Sequence, residues 1–242
     1  DRQLFMFDQT AKYMDHYERA LFNHILASVA EADAGNTYHV PLNPGAQKRY
    51  GNKDMNGFTC CNGTALESNT KLQDSIYFRS ADNGTLYVNT FVSSTLTWNA
   101  QKLQVQQVTS FPYADTTRLV IKGDGTFDLK VRVPHWAVRG FFVKINGRDQ
   151  PIKAAPSTYV SLGRTWRAND TIEIRMPFTF SLDPLMDQPN VASIFYGPVL
   201  LAAEEPAART DWRPVTLDAS EIGKSITGDP ATLRFTLGGP TF

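Results

Sequence analysis

The spacing of apolar residues changes once along this chain, and that change constrains its architecture more than any other feature. Between residues 13 and 29 they recur every four positions, as Tyr13, Tyr17, Leu21, Ile25 and Val29. A spacing of four follows one face of a helix, drifting slowly around its axis. From about residue 85 the period is two. TLYVNTFV, KLQVQQVTS, TRLVIKG, FDLKVRVP, FFVKING, STYVSL and TIEIRMP alternate, or are rich in β-branched and aromatic residues. This is the pattern of short strands. DNG (82–84), GDG (123–125) and ING (145–147) lie between them and supply turn chemistry. A helical segment followed by a run of strands predicts an α+β chain whose strands form an antiparallel sandwich of jelly-roll type.

Finer boundaries follow from local signals. Asp8 or Thr10 is expected to cap the first helix, and Gly35 to lie just past its end. A long loop with two prolines and three glycines spans residues 36–58. A second helix is expected over ALESNTKLQDSIYF, with Thr64 as its N-cap and Glu67 three residues on as the other half of a capping box. LDPLMDQP (182–189) breaks the strand pattern, and VASIFYGPVLLAAEE beyond it holds two further strands. The expected divisions are residues 1–76, 77–182 and 183–242.

Composition excludes some functions. Twenty-four basic residues balance twenty-four acidic ones, with no Lys/Arg-rich run, which argues against a nucleic-acid partner recruited by a basic surface. No run of about eighteen apolar residues predicts a membrane span. The start, DRQLFMFDQ, lacks the order of a secretory signal and an initiator Met. A mature product or an excised piece is therefore expected. The compartment is not legible.

Chemistry concentrates in GFTCCNGTALES (57–68), which holds the only two cysteines, Cys60 and Cys61, side by side. Just ahead of a helix start, unpaired N–H groups and the dipole favour thiolate over thiol. A thiolate can serve as nucleophile or metal ligand. Small core residues and a vicinal disulfide are the alternatives. Two cysteines alone cannot complete a zinc site, which takes four ligands. His16, His24, His39 and His135 show no ligand spacing, and Trp98, Trp136, Trp166 and Trp212 fit core positions better than sugar platforms.

Several motifs in order carry a resemblance. They are Tyr17-Glu18-Arg19-Ala20-Leu21-Phe22-Asn23, Tyr38-His39-Val40-Pro41-Leu42, and Cys60-Cys61-Asn62-Gly63-Thr64 with Glu67. Leu86-Tyr87-Val88-Asn89, Val131-Arg132-Val133-Pro134-His135-Trp136-Ala137, Ile145-Asn146-Gly147 and Tyr196-Gly197-Pro198-Val199 follow. Together they resemble the bacterial β-L-arabinofuranosidases of glycoside hydrolase family 127 and its relative, family 146. The Cys-Cys-x-Gly-Thr form is nearer the latter. The resemblance implies an (α/α)6 barrel followed by β domains, with residues 1–76 as the barrel's last helices and the end of the chain as part of a second β domain. It implies a retaining glycosidase with Cys60 as nucleophile, Cys60 and Cys61 on one zinc, and Tyr38 near the bound sugar. The remaining zinc ligands and the general acid/base match no residue here. Arabinose-containing glycans are the implied partners. The residues as given are expected to be inactive, to hold zinc weakly or not at all, and either to self-associate through the helix face of Tyr17, Leu21 and Ile25 or to re-dock that helix.

Two readings from other classes compete with this one. A non-catalytic β-sandwich module would bind carbohydrate or act as a scaffold, and a metal or redox site could rest on the cysteine pair alone. Zinc content separates the module from the other two.

Overall fold

The computed structural model describes residues 1–33, 35–40, 46–51, 59–204, 215 and 217–238. Helix comes first, as α1 (Arg2–Phe7) and α2 (Ala11–Ala20). α2 continues through a π-helical turn at Leu21–Ile25 into a 3-10 turn at Leu26–Ser28, so the helix ends several residues before Gly35. Two-residue strands β1 (Asn36–Thr37) and β2 (Tyr50–Gly51) pair, and α3 spans Cys60–Thr70. The six-residue α1 carries too short a pattern to be read from sequence.

Beyond α3 the regular structure of the described residues is strand, apart from two 3-10 turns at Asn99–Gln101 and Ile222–Lys224. The strands are β3 (Tyr77–Arg79), β4 (Thr85–Val88), β5 (Ser94–Trp98), β6 (Leu103–Thr109), β7 (Thr116–Lys122), β8 (Gly125–Val133) and β9 (Phe142–Ile145). After these come β10 (Arg148–Asp149), β11 (Thr158–Trp166), β12 (Thr171–Arg175), β13 (Phe180–Pro184), β14 (Ala192–Tyr196) and β15 (Val199–Leu200). β16 (Ile226–Asp229) and β17 (Arg234–Leu237) are the last strands among the described residues, the latter within the expected TLRFTL strand.

Contacts divide the chain into two compact units, each drawn from separated segments: residues 1–18, 74–179 and 228–234, and residues 19–73, 180–227 and 235–242. In the first unit one sheet has the order β10-β9-β12-β7-β6-β5 and another β11-β8-β4-β3. Inward residues alternate along the strands, as in Leu103, Val105 and Gln107 of β6 or Phe127, Leu129 and Val131 of β8. The two sheets meet face to face: the Trp98 and Phe127 rings lie 5.1 Å apart, and Tyr77 of β3 donates to Gln107 of β6 at 3.2 Å. Trp98, Trp136 and Trp166 are all buried here, and Trp212 lies outside the described residues. One detail departs from an all-antiparallel sandwich. β4 pairs parallel with β8, Thr85 opposite Asp128 through Val88 opposite Val131. At the β9–β10 turn Asn146 and Gly147 both adopt positive φ, 50° and 76°, as a two-residue hairpin demands.

The buried face of α2 in this unit is not the expected one. Ala11, Met14, Asp15 and Glu18 are buried, while Tyr13 and Tyr17 are only half-buried. Asp15 and Glu18 face inward because Arg132, itself fully buried, takes both carboxylates at 2.5 Å. Its Nε donates to the Asn89 carbonyl at 2.7 Å, and Trp136 Nε1 donates to Glu18 at 2.8 Å.

In the second unit β13-β14-β15 form an antiparallel sheet. Asn23 is bound to it: Nδ2 donates to the Pro198 carbonyl at 3.0 Å, and Oδ1 accepts from Leu200 N at 2.8 Å. Arg19 pairs with Asp183 and lies over the Phe195 ring. Leu21, on the same helix face as Tyr17 and Ile25, is buried.

Candidate functional site

The second unit brings the sequence-predicted site residues together. Cys60 and Cys61 are the first two residues of α3, not a loop preceding it. The N-cap is Thr59, with extended backbone at φ −124° and ψ 164°. Asn62 completes the capping box, its Oδ1 accepting from Thr59 N at 2.8 Å and from Thr59 Oγ1 at 2.5 Å. Thr64 lies inside the helix and turns its hydroxyl back to the Cys60 carbonyl at 3.1 Å. Glu67, expected to cap, pairs with Lys71 one turn on, and that hydrogen bond and charge hold its carboxyl below the usual range.

The cysteine backbone therefore lies in the first turn, where N–H groups are free of intrahelical partners and the dipole is positive. Both thiols are free; Cys60 is exposed and Cys61 half-buried. Their Sγ atoms are 4.0 Å apart. Desolvation and then the neighbouring Cys60 push the Cys61 thiol up. Two thiolates crowd each other unless a cation or proton lies between them.

Tyr38 reaches this pair. The charge of Cys60, then that of Cys61, push its phenol above the ordinary value. The ring is exposed and packs edge-on against His39, with centroids 4.5 Å apart. Thr37 shapes this corner by donating Oγ1 to the His39 carbonyl at 2.5 Å. Asn62 Nδ2 donates to Asn36 Oδ1 at 2.9 Å, tying the cysteine turn to the strand that leads into Tyr38.

Among the described residues no group of three or more His, Cys, Asp and Glu side chains could hold a metal ion. The cysteine pair fits half of a zinc site. Two bonds of about 2.3 Å at tetrahedral angles hold sulfurs about 3.8 Å apart, close to the 4.0 Å seen here. Pro41 and Leu42 of the motif that follows Tyr38, with Gly57 and Phe58 ahead of the cysteines, lie outside the described residues. Sequence reasoning named Asn62 only as part of a motif, with no role, and passed over Asn36; the only local sign was an Asn three residues after a Thr.

Two family models match. Residues 1–74 match "Beta-L-arabinofuranosidase, GH127 catalytic domain" and residues 85–178 match "Beta-L-arabinofuranosidase, GH127 middle domain". No curated protein matches the chain. Solved structures share its fold. A glycoside hydrolase is 21% identical with a TM-score of 0.70, over 81% of this chain and 35% of its own. A GH127 beta-arabinofuranosidase is 23% identical with a TM-score of 0.70, over 82% and 34%. A GH127 beta-L-arabinofuranosidase from Geobacillus stearothermophilus T6 is 23% identical with a TM-score of 0.68, over 82% and 34%. The chain thus spans about a third of the length of these structures.

Proposed function

This chain belongs to glycoside hydrolase family 127, and on that premise we propose that it carries the nucleophile of a retaining β-L-arabinofuranosidase. The observation that carries the reading is the meeting of Tyr38, Cys60 and Cys61 at the first turn of α3. The Cys60 thiolate attacks the anomeric carbon, a C–S bond forms, and the C–O bond to the leaving group breaks. The departing oxygen takes its proton from a general acid that we assign to no residue here. Water then attacks the same carbon, its proton returns to the group that acted as acid, and the thiolate leaves. Two inversions give net retention, with sulfur in place of the usual carboxylate.

Cys60 and Cys61 would hold a zinc ion with ligands beyond these two, and bound zinc supplies the positive charge that keeps both sulfurs deprotonated at neutral pH. Tyr38, a protonated phenol beside Cys60, is suited to donate a hydrogen bond to a sugar oxygen at the reacting carbon. Arabinose-containing glycans are the substrates on this reading. Residues 1–76 are then terminal helices and nucleophile loop of an (α/α)6 barrel, 77–182 a jelly-roll-like sandwich, and 183–242 part of a second β domain.

The test is Cys60→Ser in the full-length protein, assayed on an aryl β-L-arabinofuranoside. Serine is far less ionised than a zinc-bound thiol, so turnover is expected to vanish while the circular dichroism of the β domains is unchanged. Near-normal hydrolysis by that variant would sink the assignment.

A further inference from the structure

We propose that Asn62 is a positioning residue, a clamp that fixes the first turn of α3 to strand β1 and so sets where Cys60 stands relative to Tyr38. The catalytic part of this inference rests on the reading of Cys60 as nucleophile.

The side chain of Asn62 serves two elements at once. Its Oδ1 accepts from the backbone and hydroxyl of Thr59, at 2.8 and 2.5 Å, and Thr59 immediately precedes Cys60. Its Nδ2 donates to Asn36 Oδ1 at 2.9 Å, and Asn36 lies two residues before Tyr38. One planar amide therefore joins the segment carrying the nucleophile to the segment carrying the phenol.

The residue type suits both duties. The third helical position of a capping box is ordinarily Glu or Gln, whose side chain reaches back to the N-cap. Glutamate would serve Thr59 but has no donor for Asn36. Glutamine has both groups on a side chain one methylene longer, which would shift the strand. A short carboxamide supplies acceptor and donor at fixed separation. Thr37 stiffens the other side of the joint through its bond to the His39 carbonyl. Geometry held this closely matters because a misplacement of 1 Å costs up to about 10²-fold in rate.

The experiment uses the full-length protein with Asn62→Ala, Asn36→Ala and the double variant, followed by amide hydrogen exchange and steady-state kinetics on an aryl β-L-arabinofuranoside. A clamp predicts faster exchange at residues 36–38 and 59–62 together, in either single variant. It predicts a fall in kcat of between about ten-fold and 10²-fold, with KM within about two-fold and the melting temperature nearly constant. The double variant should be no worse than Asn62→Ala, because the one bond that Asn36→Ala removes is already lost with Asn62. Faster exchange at 59–62 alone would reduce Asn62 to a helix cap and overturn the proposal. Additive losses, an unchanged kcat, or a fall that tracks the melting temperature would overturn it too. The exchange arm does not depend on glycosidase chemistry. If Cys60→Ser stays active while both segments still exchange together, the clamp stands and its catalytic role falls with the nucleophile reading.

Discussion

The guanidinium of Arg132 and the carboxylate of Glu18 meet at 2.5 Å with 0% and 1% of their side chains exposed, although 114 residues separate them. Arg132 spends its other donors on Asp15 and the Asn89 carbonyl, so three acceptors surround one planar fork. Removing one partner of a buried pair leaves an uncompensated charge and costs about 3–5 kcal/mol. Arg132→Ala should lose stability on that scale, read as a lower urea midpoint at unchanged slope. Arg132→Lys should rescue little, because an ammonium cannot reach three acceptors in fixed fork geometry. A loss below about 1 kcal/mol for the alanine variant would show that the network contributes nothing net.

Acid should loosen the same network. Burial alone would raise the Asp15 carboxyl, but the hydrogen bond with His135, the charge of Arg132 and the Ser157 hydroxyl together hold it below its ordinary value. A carboxylate whose pKa falls on folding adds stability that is fully present above its unfolded value, about 3.9. That stability is lost as pH falls through the folded value. Urea midpoints should therefore be flat in this respect from neutrality down to roughly pH 4, then drop. Asp15→Asn should be less stable at neutral pH and show a shallower drop. An equal drop in both proteins would assign the acid sensitivity elsewhere.

The pair between Arg19 and Asp183 makes the opposite case, since both side chains are 46% exposed. Exposed pairs are worth up to about 1 kcal/mol and fade with salt. Asp183→Asn should shift the urea midpoint within that limit and by less still in 0.5 M salt (a concentration roughly three times physiological). Arg19→Ala should cost more, because it also removes the cation lying 4.8 Å from the Phe195 ring centroid.

Residues 1–242 purified alone should bind zinc weakly and leave both thiols open to titration. Two adjacent cysteines supply half of a four-ligand set, and the described residues offer no cluster of three ligand groups. We expect no cleavage of an aryl β-L-arabinofuranoside by this piece. One tightly held zinc per chain after mild chelation would show that the ligand set closes within it.

The sequence made the change from helix to strand plain because periodicity is local. β6, β8 and β12 each alternate inward and outward as their residues do. Where partners are distant, local reading failed. Asp15 and Glu18 look like the wet face of a helix until Arg132 is placed beside them. Thr64 to Glu67 is a sound capping box on paper. Thr59 and Asn62 make the reciprocal bonds instead, so the helix starts four residues ahead of Thr64. The parallel pairing of β4 with β8 leaves no mark on either strand. The cysteine pair and Tyr38 could be named from a resemblance, but Asn36 and Asn62 emerge only from the hydrogen bonds that join them.

The parallel pairing of β4 and β8 also bears on how quickly this molecule can form. β5, β6 and β7 lie between them in the chain and belong to the other sheet. Thr85 thus meets Asp128 only after the strands between have left one sheet, built part of the second and returned. No sequence of nearest-neighbour hairpins reaches that arrangement. Loop closure must be met before the pairing compensates for it, as in sandwich topologies that fold over milliseconds to seconds. β8 is thus a junction, receiving β4 on one edge and β11 on the other. A substitution at Leu129 or Val131, on the inward face of that strand, should slow refolding and speed unfolding in proportions that report how late it docks.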